Sequence, residues 1–224
     1  MSGILYIIPT PIGNREDITL RALSILKEVD VIAAEDTRHT GLLLQHYAIK
    51  KPFLSYQEHN EAVRIPEIIQ RLKDGQNIAL VSDAGTPALS DPGFKLIRAA
   101  IAADISIESL PGASSILVAL VGSGLPTDKF YYAGFLPRTS SKRQSAFTQV
   151  LSLPATLVYF ESPHRIASSV QDAFKIFGPR SAVIARELTK LHQEFMRFTL
   201  DGSHVAVKKE LKGEIVLLIA GSNQ

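Results

Sequence analysis

Through the first half of the chain, short runs of β-branched and aliphatic residues alternate with stretches in which apolar positions recur every three or four residues. That alternation predicts βα units around a mostly parallel sheet. Strands are expected over residues 5–8, 31–34, 53–56, 78–82 and 105–110. Between them, Leu20, Leu23 and Leu26 recur at helical spacing, as do Leu42 to Leu44 with Tyr47, and Ile65, Ile68, Ile69 and Leu72. Asp17 or Thr19 can cap the first helix and Gly75 can close the third. Pro66 is expected in the third helix's first turn or so, where a missing N–H does little harm. In the second half, strands are expected over 130–133, 155–160, 182–185, 194–200 and 215–219, with helices near 142–151 and 166–177. The last strands succeed one another without a long helix, which predicts antiparallel pairing and a mixed sheet. Val121-Gly-Ser-Gly-Leu-Pro-Thr-Asp128 carries two glycines and a proline, so the junction between an N-terminal domain, 1–124, and a C-terminal domain, 125–224, is expected there.

Composition narrows the class. A chain of 224 residues, 46% hydrophobic and 21% charged, can bury a sizeable core. The absence of cysteine excludes disulfides and thiolate metal sites, and no metal is expected; a reducing cytoplasm is the default compartment. The start, MSGILYIIPTPIGN, has no basic leader region, and no apolar run approaches the ~18 residues of a membrane span. Residues 1–124 hold 11 Lys and Arg against 14 Asp and Glu, whereas 125–224 hold 13 against 8. A basic second half can attract a polyanion, although such an excess is also ordinary surface variation.

Several segments present polar groups where an apolar strand stops, the place where open α/β sheets bind ligands. The most informative is Ser82-Asp-Ala-Gly-Thr-Pro-Ala-Leu-Ser-Asp-Pro-Gly93. Gly85 permits close backbone approach and the two prolines stiffen the loop. Asp91 and Pro92 are readable as an N-cap and first helical residue, leaving 83–90 as the binding part. Pro9-Thr-Pro-Ile-Gly-Asn14 has one glycine and is no dinucleotide fingerprint. Ala34-Glu-Asp-Thr-Arg-His-Thr40 puts carboxylates at a strand end, either as an ion pair or as proton acceptors. His39 and His59, each alone, carry little. Leu110-Pro-Gly-Ala-Ser-Ser115, Phe160-Glu-Ser-Pro-His-Arg165 and Ala185-Arg-Glu-Leu-Thr-Lys190 complete the set. Clusters on both halves would converge if the halves face each other across a cleft. Tyr131-Tyr-Ala-Gly-Phe-Leu-Pro-Arg138 mixes aromatics with basic residues; alternate strand members are expected in the core, with Arg138, Lys142 and Arg143 exposed toward RNA.

Taken in order over nearly the whole chain, these segments, with Gly134-Phe-Leu-Pro137 and Lys212-Gly-Glu214, resemble the tetrapyrrole methylase-like, or class III, S-adenosylmethionine methyltransferases, and among them the branch acting on bacterial small-subunit ribosomal RNA. The resemblance implies two α/β domains with the cofactor in the cleft between them, and 2′-O-ribose methylation of a decoding-region cytidine of 16S rRNA. Carried over, the cofactor contacts are Ala84, Gly85, Thr86, Leu89 and Ser90, then Ser114 and Ser115, then Phe160, Glu161 and Leu188. Longer members continue past the last strand, whereas this sequence stops three residues after Gly221, so the RNA contacts that such an extension supplies are left open by the resemblance.

The ribose hydroxyl is a poor acid, so a carboxylate or histidine near it would help remove its proton. Asp36 ranks first on position, then Glu161, His164 and Asp83; Arg38 and Arg165 suit phosphate. The expected partners are 16S rRNA or the small ribosomal subunit and a second copy of the chain. Two other readings stand beside this one: a tetrapyrrole C-methyltransferase of the same fold, and a non-catalytic RNA-binding assembly module. A P-loop nucleotidase is excluded, because no Gly-x-x-x-x-Gly-Lys segment exists.

Overall fold

Uninterrupted aliphatic runs suit strands covered on both faces. Val31–Ala34 (β2) and Ile78–Val81 (β4) are buried at every position in the computed structural model, which describes residues 2–201 and 211–222. They lie side by side in an all-parallel sheet with Ile4–Ile7 (β1), Phe53–Ser55 (β3) and Ser106–Ser109 (β5), ordered β3-β2-β4-β1-β5. The polar β5 sits at an edge and is nowhere fully buried. Leu20–Glu28 (α1), Thr37–His46 (α2), Glu61–Lys73 (α3) and Phe94–Ala102 (α4) make the crossovers. Each turns its apolar stripe inward: Leu26, Leu44, Ile68, Leu72 and Leu96 are at most 2% exposed, each burial stabilising by roughly 1.5–3 kcal/mol. Thr19 caps α1, its Oγ1 accepting from Ala22 N–H at 3.0 Å. Pro66 is corrected: α3 starts at Glu61, so the proline lies in the second turn rather than the first.

The chain divides into two compact units, one ending at Ser114 and the other starting at Ser115. The second holds a mixed sheet of Phe130–Phe135 (β6), Thr156–Glu161 (β7), Ser181–Arg186 (β8), Glu194–Thr199 (β9) and Ile215–Ile219 (β10), ordered β6-β7-β10-β8-β9. β6 runs parallel to β7, and the remaining pairs are antiparallel, as the helix-poor end of the sequence predicts. Ser115–Ser123 (α5), an apolar helix with no clear polar face, packs on β8, β9 and β10. Its partners place it with the second unit, so the compact division precedes the glycine-rich stretch 121–128.

Ser140–Gln149 (α6) and Ile166–Phe177 (α7) pack together. They are clamped by Arg143, whose guanidinium donates to Asp172 while Ser140 and Gln144 donate to the same carboxylate. Arg143 is only 3% exposed, which corrects its placement on an RNA-facing surface. β6 is also corrected: as an edge strand it leaves Phe130, Tyr131 and Phe135 between 43% and 62% exposed rather than burying alternate members. No helix among the described residues is long and apolar enough to cross a membrane.

Candidate functional site

In the first unit the connection after β2 leads outward to β3, while the connection after β4 leads the other way, past β1 to β5. Adjacent strands whose connections diverge open a crevice at their carboxyl ends. Ser82, Asp83, Glu35 and Asp36 stand there, and Asp36 N–H donates to Asp83 Oδ1 at 2.9 Å.

The loop 82–93 is stitched to its neighbours. Thr10 and Gly85 exchange two backbone hydrogen bonds of 2.9 Å, and Thr10 Oγ1 donates to Ser82 carbonyl at 3.0 Å. Thr86 Oγ1 donates to Ala113 carbonyl at 3.2 Å. Gly85 has φ +81°, where a side chain is strained, and Gly112 lies so close to Pro9 that an added Cβ would stand 2.6 Å from the proline Cβ. Three segments read separately from the sequence, 9–14, 82–93 and 111–114, thus form one surface. Ala84, Leu89 and Ser90 are among its exposed members, and Ser114 is half-buried.

Six non-glycine residues among those described have positive φ, and four of them lie in two of the loops singled out from sequence: Ala88 and Ser90 after β4, Glu187 and Thr189 after β8. Each costs on the order of 1–3 kcal/mol, and strain of that kind gathers at functional sites.

The candidate proton acceptors have distinct surroundings. Asp36 caps α2 through Arg38 N–H at 2.9 Å and receives both Nε and Nη2 of Arg38, and these bonds hold its carboxyl well below the usual carboxylate range. Arg38, read as a phosphate ligand, thus pairs with Asp36, although its side chain stays exposed. The sequence marks Glu35 as a strand-end carboxylate without ranking it, and it misplaces Asp91. Asp91 does not cap α4, because that helix starts at Phe94 with Gly93 as its N-cap; this corrects the expected capping role. Instead Asp91 sits near Glu35 and Asp83, and burial, then the Glu35 charge, pushes its carboxyl up to about 6. Burial and the Asp83 charge also raise Glu35. Both carboxylates line a cavity of about 490 Å³ with Ser90, His59, Phe94 and Lys95. The signal available in sequence was the Glu-Asp pair ending β2, but nothing in the spacing ties it to Asp91.

In the second unit, Glu161 and Arg186 both register with Ile215, so the loops after β7 and β8 and the approach to β10 share one sheet edge. Glu161 is 3% exposed; it accepts from Ser162 N–H, Ser169 Oγ and Arg165. The other terminal nitrogen of Arg165 is buried without a hydrogen-bond partner among the described residues. His164 is exposed, Phe160 packs edge-on against Phe135, and Leu188 is 5% exposed. Glu187, Lys190 and Glu214 form an ion-paired cluster on the same edge. Arg138 and Lys142 are exposed near the start of α6.

A family model, Tetrapyrrole (Corrin/Porphyrin) Methylases, matches residues 4–202. The fold agrees with solved structures: uroporphyrin-III-C-methyltransferase from Thermus thermophilus superposes with TM-score 0.67 at 20% identity over 97% of this chain and 94% of that one. A diphthine synthase gives TM-score 0.73 at 14% identity, over 97% and 90%. The chain belongs to the tetrapyrrole methylase family. Within it, the chain is 46% identical to the ribosomal RNA small subunit methyltransferase I of Micromonospora olivasterospora, over 99% of this chain and 71% of that protein. It is equally similar to those of Halalkalibacterium halodurans (99% and 77%) and a Synechocystis species (98% and 80%), so it groups with the methyltransferase I branch.

Proposed function

We propose that the protein transfers a methyl group from S-adenosylmethionine to the ribose 2′-hydroxyl of a decoding-region cytidine in 16S rRNA, as naked rRNA or within the small subunit. The observation that carries this reading is the 46% identity, along 99% of the chain, with relatives named ribosomal RNA small subunit methyltransferase I. A homodimer working in the cytoplasm belongs to the same reading, supported by the exposed aromatics of the edge strand β6.

The loop surface of the first unit suits a nucleoside-bearing amino acid. Ala84 and Gly85 leave the backbone approachable, and Leu89, 46% exposed, offers an apolar contact. Ser90 and Ser114 bring hydroxyls, while Thr86 holds the loop through Ala113; Ser115, which opens α5 in the second unit, is a further proposed cofactor contact. When bound, S-adenosylmethionine supplies an electrophilic methyl on a sulfonium. The main contribution of the chain is to hold donor and hydroxyl in line, because a stitched loop loses little freedom on binding. For the proton, we place Asp83 ahead of Asp36, whose carboxylate is already saturated by Arg38 and is a weak base. Glu161 and His164 are the second unit's candidates, and Phe160, Glu161 and Leu188 its proposed cofactor contacts. Arg38, Arg138, Lys142 and Arg165 are the proposed phosphate ligands.

The test is methylation of rRNA and of 30S subunits from a strain lacking the corresponding gene, using S-adenosylmethionine labelled in the methyl group. Label on a cytidine 2′-oxygen is expected. Cofactor binding without any transfer to RNA would overturn the reading.

A further inference from the structure

We propose that the cavity beside β2 and β4 seats the cytosine ring of the acceptor nucleotide, with Asp91 and Glu35 accepting from its exocyclic amine. The inference rests on the proposed function and deepens it, from the methyl donor to the base.

At about 490 Å³ the cavity falls within the roughly 300–1,000 Å³ of small-ligand sites, and it lies wholly in the first unit. One wall is Phe94, 62% exposed at the start of α4, a ring face of the kind on which splayed RNA bases stack. The opposite chemistry is acidic. Asp91 and Glu35 line the cavity and Asp83 lies close enough to add to their repulsion. Lys95, which lines the cavity, is paired with Glu61. A ligand that donates hydrogen bonds is therefore favoured there over one that only accepts.

Base chemistry sharpens the choice. Carboxylates accept from the N4 amine of cytosine, whereas uracil turns an acceptor, O4, to the same place. Guanine presents two donors and is the competing base. Between these two donor bases the proposed function selects cytosine, the base of the acceptor nucleotide. The location fits as well. The loop that offers residues 84–90 to the cofactor continues directly into Ser90, Asp91, Pro92 and Gly93 at the cavity, so one stitched segment would hold both methyl donor and base.

The experiment compares small subunits carrying cytidine, uridine or guanosine at the mapped acceptor position, in single-turnover methylation by wild type, Asp91→Asn, Asp91→Ser and Glu35→Gln. Melting temperature and calorimetric affinity for S-adenosylmethionine are measured alongside. Wild type is expected to favour cytidine over uridine by about 10- to 100-fold, the discrimination of one bidentate base contact. The Asp91 variants are expected to compress that ratio at least about fivefold with unchanged cofactor affinity, because an amide or hydroxyl pairs with either pyrimidine. A folded Asp91 variant that binds the cofactor normally and keeps the full ratio overturns the inference alone, as does a wild-type preference for guanosine. A wild type that binds cofactor yet methylates no ribosomal RNA removes the proposed function and this inference with it.

Discussion

The backbone N–H of Asp36 donates to the Asp83 carboxylate at 2.9 Å, so the residues leaving β2 are held against those leaving β4 by one side chain. Asp83→Ala would leave that half-buried donor unpaired and should cost about 1–3 kcal/mol, read from urea denaturation. Asp83→Asn keeps an oxygen acceptor and should cost less than about 1 kcal/mol. As the proposed proton acceptor, however, Asp83→Asn should lower kcat about 10²- to 10³-fold with cofactor affinity unchanged. Asp36→Asn should lose less than about tenfold, since asparagine caps α2 as well and the aspartate is a weak base. Equal losses in the two variants would reverse the assignment.

Gly85→Ala forces a side chain into φ +81° with its Cβ 3.4 Å from Ile12 Cγ2. Backbone strain of about 1–2 kcal/mol should lower the melting temperature, and displacement of the loop should weaken S-adenosylmethionine binding at least about tenfold. A variant of unchanged cofactor affinity would remove Gly85 from the cofactor wall.

Asp91 titrates higher in the folded protein, about 6, than in the unfolded chain, near 3.8. The folded state therefore binds the extra proton between those values, and stability present below 3.8 is lost as pH rises through 6. Asp91→Asn should gain on wild type across that window and level off above pH 7. Solvent screening of a half-buried group limits the gain to about 1 kcal/mol. The measurement is the difference in melting temperature between the two proteins from pH 4 to 8; a difference independent of pH would contradict the assignment.

Arg143 and its neighbours separate structure from binding. Arg143→Ala strands Asp172, 3% exposed, and should destabilise by about 3–5 kcal/mol. The double variant Arg138→Ala with Lys142→Ala should melt as wild type does. Its RNA affinity should fall, with the slope of log affinity against log salt reduced by about 1.4–1.8, close to two phosphate contacts. An unchanged slope would exclude both side chains from the RNA surface.

Much of the fold was legible because burial on two faces demands unbroken apolar runs. Val31–Ala34 and Ile215–Ile219 were read at their observed limits, and every other strand was found within two residues at either end. α5 went unread, since a helix apolar nearly all round has no 3.6-residue contrast to detect. The exposed β6 failed in another way: its aromatics look like core residues, and only its edge position leaves them uncovered. Arg143 reads as a surface charge until α7 brings Asp172 to it from 29 residues away.

By itself the sequence determined the two α/β halves, the parallel and mixed sheets, and the strand-end loops that carry polar chemistry, because these follow from local periodicity and from residue types suited to turns. The tertiary structure alone decided which of those residues meet. Strand order sets β2 beside β4, which makes Asp83 a brace for Asp36 and turns Asp91 from an expected cap into a cavity carboxyl beside Glu35. Electrostatic environment depends on distance through space, and residues 35 and 91 become neighbours only when the sheet has formed.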